Sequence, residues 1–166
     1  NSKAECEEFV AACRYPPRGN RSFGPIRAFI YGGADYPVHA NDHVLTIAMI
    51  ETREAVTNLE AILSVPGLDA IYVGPADLAN SMGKPPGFDQ EEPTVVETIR
   101  HIVTTARKHG IRAGLHCGAP AYAKKAMGWG FDFTTLLSDA RLMTMKGQEI
   151  VAAMKDRPAP GTGGSY

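Results

Sequence analysis

Two acids carry the first chemical hint. Glu51 closes the apolar run 45–50, and Asp77 comes just after a second apolar run, 70–74. A carboxylate at the end of a buried strand costs desolvation free energy unless something there uses it. Two such groups brought together repel, and burial raises their pKa values further. A divalent cation removes that conflict. Two carboxylates plus waters form an all-oxygen set that suits Mg2+ or Mn2+ and leaves positions open for a bidentate substrate. Taken singly, each acid reads more simply as a cap, Glu51 for the helix that follows and Asp77 for a loop turn. At matching strand ends one βα unit apart, the pair favours the metal.

Other candidates compete less well. His39 and His43 have the i, i+4 spacing of a zinc pair, but no third ligand is evident nearby. His116 ends a predicted strand; it either lines the same pocket or is a packed histidine, with nothing in the spacing to choose between them. No GxSxG or other nucleophile signature is present. Lys3, Lys84, Lys108, Lys124, Lys125, Lys146 and Lys155 all fall in predicted helices or loops. None sits at a strand end, where a Schiff-base lysine would be held and desolvated. That argues against imine chemistry and for a metal.

The elements that must position these residues follow from the apolar spacing. Ser2 and Glu5 make a capping-box pattern before Cys6, Phe9, Val10 and Cys13, so the chain opens with a helix that Tyr15-Pro16-Pro17 stops. An Arg-, Gly- and Pro-rich loop follows over 14–25. The stretch ADYPVHANDH reads as either a short helix or a loop. Residues 44–51 read as a buried strand ending in Glu51, and Thr52 caps a helix carrying Ala55, Val56, Leu59, Ile62 and Leu63. A second strand covers 70–74. The segment 75–93 reads as a long Gly/Pro-rich loop, a kind more often functional than idle. A helix with an apolar face of Val95, Ile99, Ile102, Val103 and Ala106 runs from Pro93 to Gly110. A third strand (111–117), a short helix around 122–127, a fourth strand (132–137) and a last helix (140–155) complete the set. The Gly-rich end follows no strand and opens no helix, so it carries no phosphate-binding weight.

One helix and four βα units imply a parallel sheet with right-handed crossovers. A small doubly wound sheet and part of a (β/α)8 barrel both fit. The opening helix, with no strand ahead of it, favours a chain that starts part-way through a barrel. Function in either architecture collects at the carboxyl ends of strands. Glu51 shares strand parity with Ile47 and Met49, and neighbouring strands lie about 4.8 Å apart, so the two acids can converge.

Composition sets the outer bounds. The 166 residues are 44% hydrophobic and 21% charged, an ordinary globular balance. A net charge of -1 gives no nucleic-acid footprint. No apolar run approaches the roughly 20 residues of a membrane span, and no secretory signal opens the chain. Cys6, Cys13 and Cys117 are an odd, scattered set. Cys6 and Cys13 would sit roughly 10 Å apart along one helix, too far for a disulfide. Reduced thiols and a cytoplasmic location are expected.

The segments RYPPRGNRSFGP, ANDHVLTIAMIETREAVTNLEAI, GLDAIYVGPADLANSMG and AGLHCGAP together resemble the metal-dependent pyruvate aldolases. This is the family of 4-hydroxy-2-oxoheptanedioate aldolase and the 2-keto-3-deoxy sugar-acid aldolases. The similarity runs in order from the first residue to about Lys155. It implies a (β/α)8 barrel, of which a partial domain over 1–156 is expected here, followed by a flexible tail over 157–166. It also implies that Glu51 and Asp77 hold Mg2+, Mn2+ or Co2+, and that the backbone at Ala76, with Asp77, meets the pyruvate carboxylate. A glutamine that touches the pyruvyl group in some members corresponds to Met49. The expected substrate-binding set is Met49, Gly74, Ala76, Asp77 and His116.

The family's first half, which supplies a catalytic arginine and histidine, has no counterpart in this sequence. Arg14, Arg18, Arg21 and Arg27 do not inherit that role, and the segment is expected to be the C-terminal part of a longer protein. The implied reaction is reversible aldol cleavage of a 4-hydroxy-2-oxo acid to pyruvate and an aldehyde, in a homo-oligomer, commonly a hexamer. Two other readings stand beside it. One is a citrate-lyase-like or malyl-CoA-type lyase acting on a thioester, and the other is a non-catalytic barrel fragment.

Overall fold

The computed structural model describes residues 1–155. The tail expected over 157–166 lies outside the described residues. Four strands form one sheet: β1 (Ile47–Ile50), β2 (Ala70–Val73), β3 (Arg112–Cys117) and β4 (Phe133–Leu136). All pairs are parallel, and the order is β1-β2-β3-β4. That order decides between the two architectures. A doubly wound sheet reverses its strand order at a switch point, whereas barrel strands follow one another around the ring. The fold is α/β and corresponds to part of a (β/α)8 barrel.

The register sorts the strand side chains into two faces. Met49, Tyr72, Gly114 and Phe133 are aligned across the sheet, so they share one face. The opposite face carries Ile50, Ile71, Val73, Ala113, Leu115 and Cys117 into the hydrophobic core. There they meet Leu59, Ile62, Val95, Ile99, Ile102, Val103 and Ala126 of the covering helices. Helix α7 (Pro93–Lys108) supplies much of that cover, starting at Pro93 with the Glu92 carboxylate accepting from the Val95 amide. Its apolar face is the one the 3.6-residue spacing predicts.

Helix α1 (Lys3–Cys13) closes its reciprocal cap as the sequence requires: Ser2 accepts from the Glu5 amide, and Glu5 accepts from the Ser2 amide. Helix α3 (Tyr36–His43) resolves the ambiguous stretch as helical. Helix α2 (Ile26–Gly32) was not expected from the sequence; it buries none of its residues. The helix after β1 divides at Asn58 into α4 (Arg53–Thr57) and α5 (Leu59–Leu63), with Thr52 capping α4 through the Ala55 amide.

Two further expectations need correction. β1 is not a buried strand, since Ile50 alone is buried and Ile47 and Met49 are 38% and 47% exposed. The reason is its place: β1 is an edge strand, and one of its faces is open. The segment 75–93 is not wholly a loop either. Its first seven residues form α6 (Pro75–Ser81), with Pro75 in the position where a missing amide hydrogen costs nothing. No helix among the described residues is long and apolar enough to cross a membrane.

Candidate active site at the carboxyl ends of the strands

Glu51 follows β1 directly and does not belong to it, because strand pairing stops at Ile50. Asp77 likewise lies not in a loop but in the first turn of α6. The consequence for both is the same. Glu51, Asp77, Met49, Tyr72, Gly74, Pro75, Ala76, Phe88 and His116 line one cavity of about 190 Å³. It opens at the carboxyl ends of β1, β2 and β3. Larger hollows lie on the outside of α7 and beside helix α9 (Asp139–Met154), but neither gathers two strand-end carboxylates.

The two acids interact. Burial raises the pKa of Glu51 above the ordinary glutamate value, and the negative charge of Asp77 raises it further. Gly74 makes the arrangement possible. A Cβ at Gly74 would overlap Oε2 of Glu51 and stand 3.2 Å from both the Glu51 Cβ and the Met49 methyl. Its backbone is extended (φ -93°), so space, not conformational freedom, selects glycine. Asp77 sits one residue past Ala76 at the start of α6, where backbone amides have no partner within the helix.

The donor set fits a hard divalent cation. Two carboxylates, one of them carrying the cost of burial and of its neighbour's charge, are the groups a cation would relieve. Among the described residues no three His, Cys, Asp or Glu side chains gather as a metal cluster. An ion here would therefore draw two protein ligands from this segment and complete its shell from water and substrate. His39 and His43 stack on each other with ring centroids 5.6 Å apart on the exposed α3, away from this cavity, and find no third ligand among the described residues.

His116 lines the cavity and does not stand alone. Its Nδ1 lies 3.0 Å from the Tyr72 hydroxyl and 3.0 Å from the Thr135 hydroxyl. The two hydroxyls also hydrogen-bond each other. The Phe88 ring stands edge-to-face to His116 at 4.5 Å. Beneath this cluster the Tyr72 and Phe133 rings stack at 6.1 Å across Gly114, where a Cβ would overlap the Phe133 ring. Tyr72, Thr135 and Phe88 were missed in the sequence. Strand parity with Gly74 was the available signal for Tyr72. Thr135 needed the β3–β4 register, which pairs it with His116.

Residues 1–144 match the family described as HpcH/HpaI aldolase/citrate lyase. A hydroxypyruvate/pyruvate aldolase of Rhizorhabdus wittichii is 40% identical over 152 residues, 92% of this chain and 61% of that protein. A 2-keto-3-deoxy-L-rhamnonate aldolase of Klebsiella pneumoniae is 36% identical, over 93% of this chain and 58% of that protein. The crystal structure of an HpcH/HpaI aldolase/citrate lyase family protein from Burkholderia cenocepacia J2315 matches with a TM-score of 0.80 at 26% identity, over 93% of this chain and 62% of that one. The chain thus spans about three fifths of the length of the curated relatives it matches.

Proposed function

The chain belongs to the HpcH/HpaI aldolase/citrate lyase family, and on that premise we propose that it forms the metal-holding part of an aldolase that cleaves a 4-hydroxy-2-oxo acid to pyruvate and an aldehyde. The observation that supports this reading is that Glu51, resting on Gly74, and Asp77 line one small cavity at the strand ends, where the charge of Asp77 raises the Glu51 pKa. The names of the relatives point the same way, since those quoted above act on pyruvate-type or 2-keto acid substrates.

In this reading the Glu51 and Asp77 carboxylates hold a divalent cation, Mg2+, Mn2+ or Co2+. When bound, the cation supplies Lewis-acid stabilisation of the charge that develops on the 2-oxo group. The amides at the start of α6, at Ala76 and Asp77, face no helical partner and suit the pyruvyl carboxylate. Met49 and Gly74 close the floor beside the carboxylates, and a cavity of about 190 Å³ is scaled to a small 2-oxo acid. Glu51 and Asp77 are not asked to move a proton.

Lysine placement supports a metal route over an imine. Among the described residues every lysine lies in a helix, a turn or a loop. Lys84 is paired with Glu92 at 3.1 Å. Self-association and a reducing, cytoplasmic setting belong to the same proposal. Ile26, Ile30 and Tyr31 of α2 expose more than 70% of their surface, and all three cysteines are free.

Coupled detection of pyruvate released from 4-hydroxy-2-oxo acids tests the proposal. Metal-dependent release is expected, with no adduct trapped by borohydride. A trapped lysine adduct would overturn it. Turnover of acyl-CoA thioesters alone would favour the thioester lyase.

A further inference from the structure

Resting on the aldolase reading, we propose that Tyr72 and Thr135 are positioning residues that hold His116 as an Nε2–H donor, and that this N–H binds an oxygen on the aldehyde half of the substrate.

The geometry is a triangle. Nδ1 of His116 lies 3.0 Å from each of the Tyr72 and Thr135 hydroxyls, and those hydroxyls hydrogen-bond each other. Two hydroxyl protons are available. With Nδ1 unprotonated, one hydroxyl donates to the other, which donates to Nδ1, and both protons are used inside the cluster. With a proton on Nδ1, that nitrogen can accept nothing, and one hydroxyl proton must leave the triangle for solvent, which reaches the exposed Thr135. Only the tautomer with its proton on Nε2 keeps both hydroxyl protons bonded within the cluster. Burial holds His116 below the ordinary histidine pKa against the opposing charge of Asp89, and burial raises Tyr72, so the ring stays neutral and the phenol keeps its proton.

The ring cannot readily turn away. Phe88 stands edge-to-face to it at 4.5 Å, and the Tyr72 ring below is stacked on Phe133 at 6.1 Å. Nδ1 is engaged, and no described residue hydrogen-bonds Nε2.

Placement decides which part of the substrate the donor meets. Glu51 follows β1, Gly74 and Asp77 follow β2, and His116 sits on β3. Strands are about 4.8 Å apart. A pyruvyl group anchored between Glu51 and Asp77 occupies the β1–β2 side, so the donor on β3 lies beyond its three carbons. A neutral N–H at that point recognises an oxygen, not a methyl group. The chemical class follows: aldehydes with a hydroxyl next to the carbonyl over alkyl aldehydes of the same size. Discrimination of about tenfold to a hundredfold is the scale for one such hydrogen bond.

The experiment has two arms on the full-length, Mg2+-loaded protein. The first compares kcat/KM for glycolaldehyde and propionaldehyde with pyruvate as co-substrate. Wild type should favour glycolaldehyde. His116→Phe, Tyr72→Phe and Thr135→Val should each lower that ratio about tenfold, mainly through KM for glycolaldehyde, and Thr135→Ser should restore it. The second arm reads the His116 tautomer by 15N NMR on histidine-labelled protein without substrate. An Nε2–H tautomer is expected, lost in Tyr72→Phe. An Nδ1–H tautomer, or a substrate ratio unmoved by the variants, would overturn this inference and leave the aldolase reading standing. A wild type with the Nε2–H tautomer that turns over neither aldehyde would instead sink the aldolase reading, and the substrate assignment with it.

Discussion

The Glu51 carboxylate rests on Gly74, so closely that a single added methyl group would overlap its Oε2. An acid from one strand end thus occupies the space left by a missing side chain at the next. The relationship ties the β1–β2 register to the chemistry.

Gly74→Ala is the first consequence. The backbone there is extended, so alanine brings no conformational strain, only overlap with Glu51 and Met49. The expected variant is folded but weak in divalent metal binding, by about tenfold, the order seen when a supporting residue shifts a ligand. Titration calorimetry with Mn2+ beside a circular-dichroism melt would check it. A variant with wild-type affinity would mean that Glu51 does not need its observed position.

Glu51→Gln separates stability from function. Burial and the charge of Asp77 raise the Glu51 pKa, so the folded chain binds that proton more tightly than the unfolded chain. The metal-free protein accordingly loses stability as pH rises from the unfolded to the folded pKa, and the loss is complete above the latter. Glutamine removes it. In EDTA at pH 7 the variant should melt at or above the wild-type temperature, by a few °C at most. Added Mg2+ should raise the wild-type melting temperature and leave the variant nearly unmoved. A variant clearly less stable than wild type in EDTA would show that Glu51 serves the fold and not a metal.

Asp69→Asn tests the opposite end of the sheet. The buried Arg14 donates to Asp69 at 3.1 Å and to the Val44 carbonyl at 2.8 Å, and Thr46 adds its amide at 2.7 Å and its hydroxyl at 2.8 Å to the same Asp69 oxygen. Burial pushes the Asp69 pKa up, but these donors together bring it below the ordinary aspartate value. Its folded pKa is thus depressed, and its stabilisation is present above the unfolded pKa and lost as pH falls through the folded one. The substitution should cost about 2–3 kcal/mol at pH 7, below the full cost of an orphaned buried charge because Asp69 is partly exposed. Urea denaturation with unchanged metal affinity in the folded fraction is the expected result. A cost under about 0.5 kcal/mol, the level of an ordinary surface substitution, would contradict the assignment.

The legible parts of the sequence were those where one periodic signal acts alone. The α7 face from Val95 to Ala106 and the capping box at Ser2 and Glu5 are local, and both hold. β1 failed differently. Its apolar run does not say whether a partner covers it, and as an edge strand it leaves Ile47 and Met49 exposed. Helix α6 hid among Pro, Gly, Asn and Ser, although Pro75 at its first position was a start signal. In α2 the bulky set Ile26, Phe29, Ile30 and Tyr31 is weak in helix propensity and faces outward, so no amphipathic pattern marked it. At the site, Glu51 and Asp77 were legible because an acid beside an apolar run is anomalous. Tyr72 and Thr135 were not, since each looks ordinary within a strand until the register brings both to His116.

The central claim is that Glu51 and Asp77 together hold the divalent cation. Mn2+ binding followed by electron paramagnetic resonance in wild type, Glu51→Gln and Asp77→Asn tests it most directly. The account predicts one site in the wild type, weakened at least tenfold in each single variant, both of which remain folded. Equal Mn2+ affinity in wild type and in either variant would contradict it and leave these carboxylates without a metal-holding role.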